Sequence, residues 1–79
     1  MLKIIDDYEP CEDILQEMVR GNIEIVALNN GDILVINEDG KKLNLNYNSE
    51  ATKIYQDNGG MKDMDIVGMA VLVKKGLMV

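Results

Sequence analysis

The run Asn37-Glu38-Asp39-Gly40 and the later Tyr47-Asn48 place amide, carboxylate and phenol groups within a short stretch of chain. Groups of this kind hydrogen-bond ribose hydroxyls and base edges when a pocket gathers them. The same four residues also make a good hairpin turn, and the two readings are compatible, because binding groups commonly sit on turns beside a sheet. Tyr8, Tyr47 and Tyr55 are the only aromatic side chains. A tyrosine offers a flat face for stacking and a hydroxyl, and it serves equally at the rim of a core. Lys62, Lys74 and Lys75 lie near Gly59-Gly60 and Gly68, where an anion could dock, although no Gly-x-Gly-x-x-Gly or Walker pattern surrounds these glycines. The expected ligand-binding set is therefore Tyr47 or Tyr55 stacking a ring, Asn48 and Thr52 giving hydrogen bonds, and Lys74 or Lys75 meeting phosphate.

Most reaction chemistry is disfavoured. The chain has no histidine, the usual proton carrier at neutral pH. Its single Cys11 has no base to activate it and falls in a helical apolar pattern, so a buried structural thiol is expected. Asp6, Asp7, Glu9, Glu12 and Asp13 crowd one region, but their spacing matches no EF-hand loop, and a solvated acidic face is the expectation. No catalytic residue, metal or cofactor is assigned, and the chain reads as a binder, not an enzyme.

The elements that must position these groups follow from periodicity. Leu2, Ile4 and Ile5 form a short strand. Cys11, Ile14, Leu15, Met18 and Val19 recur at three-and-four spacing, a helix beginning near Pro10 and closed by a left-handed Gly21. Ile23 to Leu28 and Asp32 to Asn37 flank Asn29-Asn30-Gly31, whose Asn-Gly pair signals a hairpin. Lys41 to Leu45 alternates as a third strand of a meander. Asn48 or Ser49 caps a second helix running to about Gln56, Met61 to Met64 reads as a mobile loop, and Asp65 to Val73 is a near-continuous apolar strand suited to a central position. The apolar Leu77-Met78-Val79 completes a sheet edge or packs on another subunit. The fold class is α+β: one domain over residues 1–79, with a small antiparallel sheet of about four to five strands around the hairpin 23–37 and two short helices.

In order along the chain stand Val19-Arg20-Gly21, Ile23-Glu24-Ile25-Val26, Val35-Ile36-Asn37-Glu38-Asp39-Gly40-Lys41, Asn48-x-x-Ala51-Thr52 and Ile66-Val67-Gly68. This succession resembles the domain of unknown function 3846, a small family carried by phages and mobile elements. Tyr47 departs from the family pattern, which usually has proline before the asparagine. The resemblance implies a setting, a phage-type accessory protein inside a bacterial host, and no catalytic residues.

The chain has 79 residues and a net charge of −6. A single core of this size supplies only about 3–5 kcal/mol, which favours a homo-oligomer, dimer or higher. The acidity disfavours nucleic acid as a partner, and no apolar stretch spans a membrane, so cytoplasmic residence is expected. The favoured function is sequestration of a small nucleotide-derived host signal at a subunit interface of an oligomer, countering anti-phage defence. The alternative is a protein-interaction inhibitor whose acidic first helix (Glu12, Asp13, Glu17) covers a basic host surface.

Overall fold

The computed structural model describes residues 1–78. Six elements follow one another: β1 (Leu2–Ile5), α1 (Glu12–Val19), β2 (Ile23–Ala27), β3 (Ile33–Asn37), α2 (Ser49–Asp57) and β4 (Ala70–Val73). The architecture is α+β, with one four-stranded sheet in the order β1-β4-β3-β2. The sheet is mixed. β4 pairs antiparallel with β3 and parallel with β1.

Side chains alternate across the sheet, as strand geometry requires, and so divide the core in two. Val35, Val71, Val73 and Ile5 meet Leu15 and Val19 of α1 on one face. Leu34, Ala70 and Leu72 meet Ala51 of α2 and Ile66 on the other. Each helix thus covers its own face, and β4, buried at all four residues, takes the central position that its unbroken apolar run predicts.

The hairpin forms as its sequence predicts, with the three residues Asn29-Asn30-Gly31 at its tip. Gly31 N–H donates to Leu28 O and Leu28 N–H to Asp32 O, both at 3.0 Å, and Gly31 takes φ 92. This is a turn followed by a left-handed bulge residue, for which glycine is the natural choice.

Several local expectations are corrected. Residues 41–45 are not a strand: β4 occupies the free side of β3, so a meander strand has no place to pair. The segment coils instead, with Leu43 N–H on Asp39 O (2.9 Å), Leu45 N–H on Gly40 O (3.0 Å) and Asn44 left-handed at φ 59. α1 begins at Glu12, with Cys11 at its cap and exposed to solvent, because the thiol lies before the helical face that its spacing seemed to join. Arg20, not Gly21, is the left-handed residue closing α1 (φ 63). Gly21 is small for a different reason: a Cβ there would stand 2.8 Å from Asn37 Nδ2. The last strand is shorter than 65–73. The chain bends at Gly68, and Val67 makes only an isolated bridge to Tyr47. Residues 61–64 are tied to α2, since Gln56 Nε2 donates to Lys62 O (2.9 Å) and Met64 O (3.0 Å). Leu77 and Met78 pack on the α1-side core of their own chain, and Val79 lies outside the described residues.

Candidate functional site

Two buried asparagines organise the end of the sheet where β3 finishes and β4 begins. Asn37 closes β3. Its Nδ2 donates to Val19 O (3.0 Å) and Arg20 O (3.4 Å), and its Oδ1 accepts from Asp39 N–H (2.8 Å). One side chain thereby ties the end of α1 to β3 and starts the turn that follows. Asn48, 1% exposed, does the same for α2. Its Oδ1 accepts from Ala51 N–H (3.0 Å), the usual N-cap bond. Its Nδ2 donates to Met1 O (2.9 Å) and Gly68 O (2.8 Å). Thr52, also buried, accepts from Ile66 N–H (2.8 Å) and donates to Ile66 O (3.3 Å).

The open surface lies between these anchors. A cavity of about 190 Å³ is walled by Ile36 of β3 and by Met64, Ile66 and Val67 of the segment leading to β4. Glu24, Glu38, Asp39 and Asp65 bring carboxylates to it, and Lys41 and Lys42 bring the cations. The side chains of Glu38 and Asp39 make no hydrogen bond among the described residues, so their acceptor capacity is unspent. A second cavity of about 300 Å³ lies across Asn37, lined chiefly by Met1, Leu43, Leu45 and Met69, with Arg20 at its edge. An apolar wall with a few uncommitted polar groups is the usual make-up of a small-molecule site.

The six residues expected to bind ligand do not converge. Asn48 and Thr52 are interior groups whose polar atoms serve the backbone. Tyr47 is 56% exposed and pairs through its backbone with Val67, a cavity residue, so it stands beside the site. Tyr55 is half-buried against the α2-side core, its hydroxyl 3.9 Å from Met64 Sδ. Lys74 and Lys75 follow β4 whereas Tyr47 lies beside the residues that precede it, so the length of the strand separates them.

Lys74 also has a partner. Its Nζ lies 2.9 Å from Asp32 Oδ2, Lys75 N–H donates to Asp32 Oδ1 (2.8 Å), and Asn30 Nδ2 donates to Asp32 Oδ2 (3.2 Å). Burial alone pushes the Asp32 carboxyl up. The Lys74 ammonium, the Lys75 N–H and the Asn30 amide outweigh that effect and hold it below its ordinary range. Lys62 Nζ donates to Gln56 O at 3.1 Å. Sequence reasoning marked the turn 37–39 but missed Lys41, Lys42, Glu24 and Asp65. The signal for the first two was present, since two lysines directly after an acidic turn share its surface.

Among the described residues no group of His, Cys, Asp and Glu side chains is arranged to hold a metal ion, and no helix is long and apolar enough to cross a membrane. A family model described as "Domain of unknown function (DUF3846)" matches residues 3–76, and the chain belongs to that family. No curated protein and no solved structure matches it.

Proposed function

We propose that this DUF3846 chain is a non-enzymatic binding module whose cavity at residues 37–42 and 64–67 captures a small, nucleoside-bearing molecule. The observation that carries this reading is the cavity itself: an apolar wall of Ile36, Met64, Ile66 and Val67 beside Glu38 and Asp39, whose carboxylates bond to none of the described residues, and beside Lys41 and Lys42. An apolar wall suits the face of a base. Carboxylates accept from ribose hydroxyls and exocyclic amines, and the lysines can meet a phosphate. A volume of about 190 Å³ is small for a ligand site, which fits a nucleoside-sized portion of a ligand better than a whole dinucleotide. In the phage-type setting that the family resemblance implies, such a module would hold a host's nucleotide-derived signal out of circulation, from within the cell that makes it.

The experiment is titration calorimetry of the pure protein against cyclic and ADP-ribose-derived nucleotides and their nucleosides. Heat from one class, lost in the Glu38→Gln/Asp39→Asn double variant, supports the reading. No heat from any compound overturns it.

The acidic first helix favours a second reading. Glu12, Asp13 and Glu17 are exposed on α1, no basic residue occupies its last turn, and Asp6, Asp7 and Glu9 extend the negative surface before it. Such a surface would cover a basic patch on a host protein. Binding of that kind weakens as salt rises above about 0.1 M, where the screening length falls to about 10 Å. A pull-down from host lysate at low salt that recovers no partner counts against it.

A further inference from the structure

The two outer strands of the sheet differ in what their free edges offer. Leu28 N–H donates to Asp32 O and Glu38 N–H to Asn22 O. Antiparallel pairs alternate, so the even-numbered residues of β2 turn their backbone groups toward β3. Ile23, Ile25 and Ala27 turn theirs outward, where no strand among the described residues pairs with them. Ile25 at the centre is 52% exposed. An open edge of this kind, with an apolar side chain in its middle, is a template for another strand.

Symmetry and charge select the partner. Two copies of β2 can pair antiparallel about a two-fold axis perpendicular to the sheet, which keeps each helix layer on its own side. Facing residues then share parity. Centring the axis on Glu24 sets two carboxylates directly opposite each other, which is destabilising. Centring it on Ile25 aligns all of Ile23–Ala27. Ile25 meets Ile25 of the partner subunit, Glu24 meets Val26 of the partner subunit, and every outward backbone group finds a complement. β1 offers less. Met1 O and Ile5 O accept from Ala70 N–H and Lys74 N–H, so its outward backbone groups are those of Leu2 and Ile4; a register centred on Ile4 aligns only Lys3–Ile5 of this four-residue strand, and one centred on Lys3 opposes two lysines.

We infer that the β2 edge is a self-complementary interface at which two copies of this chain join their sheets into one eight-stranded layer. Glu24 also lines the cavity. The partner's Val26 therefore stands beside Glu24 and narrows the cavity on its β2 side, so the site is completed by the second copy. That completion rests on the binding reading above, whereas the interface does not.

Sedimentation equilibrium over a dilution series tests the interface, with hydrogen exchange at high and low concentration. A dimer is expected, with Ile23, Ile25 and Ala27 amides protected when concentrated and exposed when dilute. Ile25→Lys places two ammonium groups on the axis and is expected to raise the dissociation constant at least about tenfold. Its circular dichroism should match that of the parent, because the side chain is already largely outside the fold. Ile4→Lys, on the other edge, is expected to leave the dimer intact. A monomer at every concentration overturns the inference. So does a dimer in which these amides exchange freely, or one lost on Ile4→Lys and kept on Ile25→Lys. These readouts use no ligand, so they fail or succeed separately from the calorimetry.

Discussion

Two stretches of the chain, Asn37-Glu38-Asp39-Gly40-Lys41 and Asn48-x-x-Ala51-Thr52, both open on an asparagine. In the second, Asn48 and Thr52 turn inward: both are buried and hydrogen-bonded to Met1, Ala51, Ile66 and Gly68, while Ser49 and Glu50 between them are exposed. In the first, only Asn37 does so, while Glu38, Asp39 and Lys41 reach a cavity. Polar residues held together as a motif therefore serve two purposes here. What separates them is whether the backbone has already used their hydrogen-bonding capacity.

Replacing Asn48 is the harshest way to break the contrast. Asn48→Ala removes an N-cap and takes the side-chain donor from Gly68 O and from Met1 O, which keeps the Ala70 N–H, so it should cost about 2–4 kcal/mol in urea unfolding. Asn48→Asp sharpens the point. Aspartate caps as well as asparagine, yet it cannot donate to Met1 O and Gly68 O, so most of the loss should persist. If Asn48→Asp unfolds like the parent, those two bonds are not what matters.

Asp32 is intermediate, a buried carboxylate that acts structurally at the opposite end of the sheet. Asp32→Asn should cost about 1.5–3 kcal/mol at neutral pH, because charge-assisted hydrogen bonds are lost. The folded-state pKa is lowered, so the contribution of the carboxylate is fully present above the unfolded value near 3.8 and is lost as pH falls below it. The gap in melting temperature between parent and Asp32→Asn should hold from pH 7 to about 5 and narrow below pH 4. A gap independent of pH would show that the ion pair with Lys74 contributes little.

The cavity variants complete the series with the smallest effect on stability. Glu38→Gln and Asp39→Asn should each change unfolding free energy by less than about 0.5 kcal/mol, since neither side chain is tied to the fold. Their effect belongs to ligand heat. A large loss of stability in either would move the first stretch into the same class as the second.

Much of the architecture was legible because it rests on local patterns. Leu15 and Val19 have helical spacing and are buried. Asn29-Asn30-Gly31 turns the hairpin, Asn48 caps α2, and the apolar run at 70–73 is central. What was not legible depended on distant partners. Lys41-Lys42-Leu43-Asn44-Leu45 alternates like a strand, but whether it pairs is decided by β4, which takes the place beside β3. The left-handed closure at Arg20 was hidden because Gly21, its neighbour, is small for the sake of the Asn37 side chain. At the site, residue type pointed equally to ligand and to backbone. Asn48, Thr52 and Lys74 were spent within the fold, and only their contacts could reveal it.

The parallel pairing of the first and last strands gives the molecule a mechanical character. Leu2 aligns with Ala70 and Ile5 with Val73, so a pull on the start of β1 against the end of β4 runs along both strands in opposite directions. The backbone bonds between them are then loaded together in shear and cannot open one by one like a zipper. Tension applied through the two ends of this fold meets its strongest resistance at the seam that closes it.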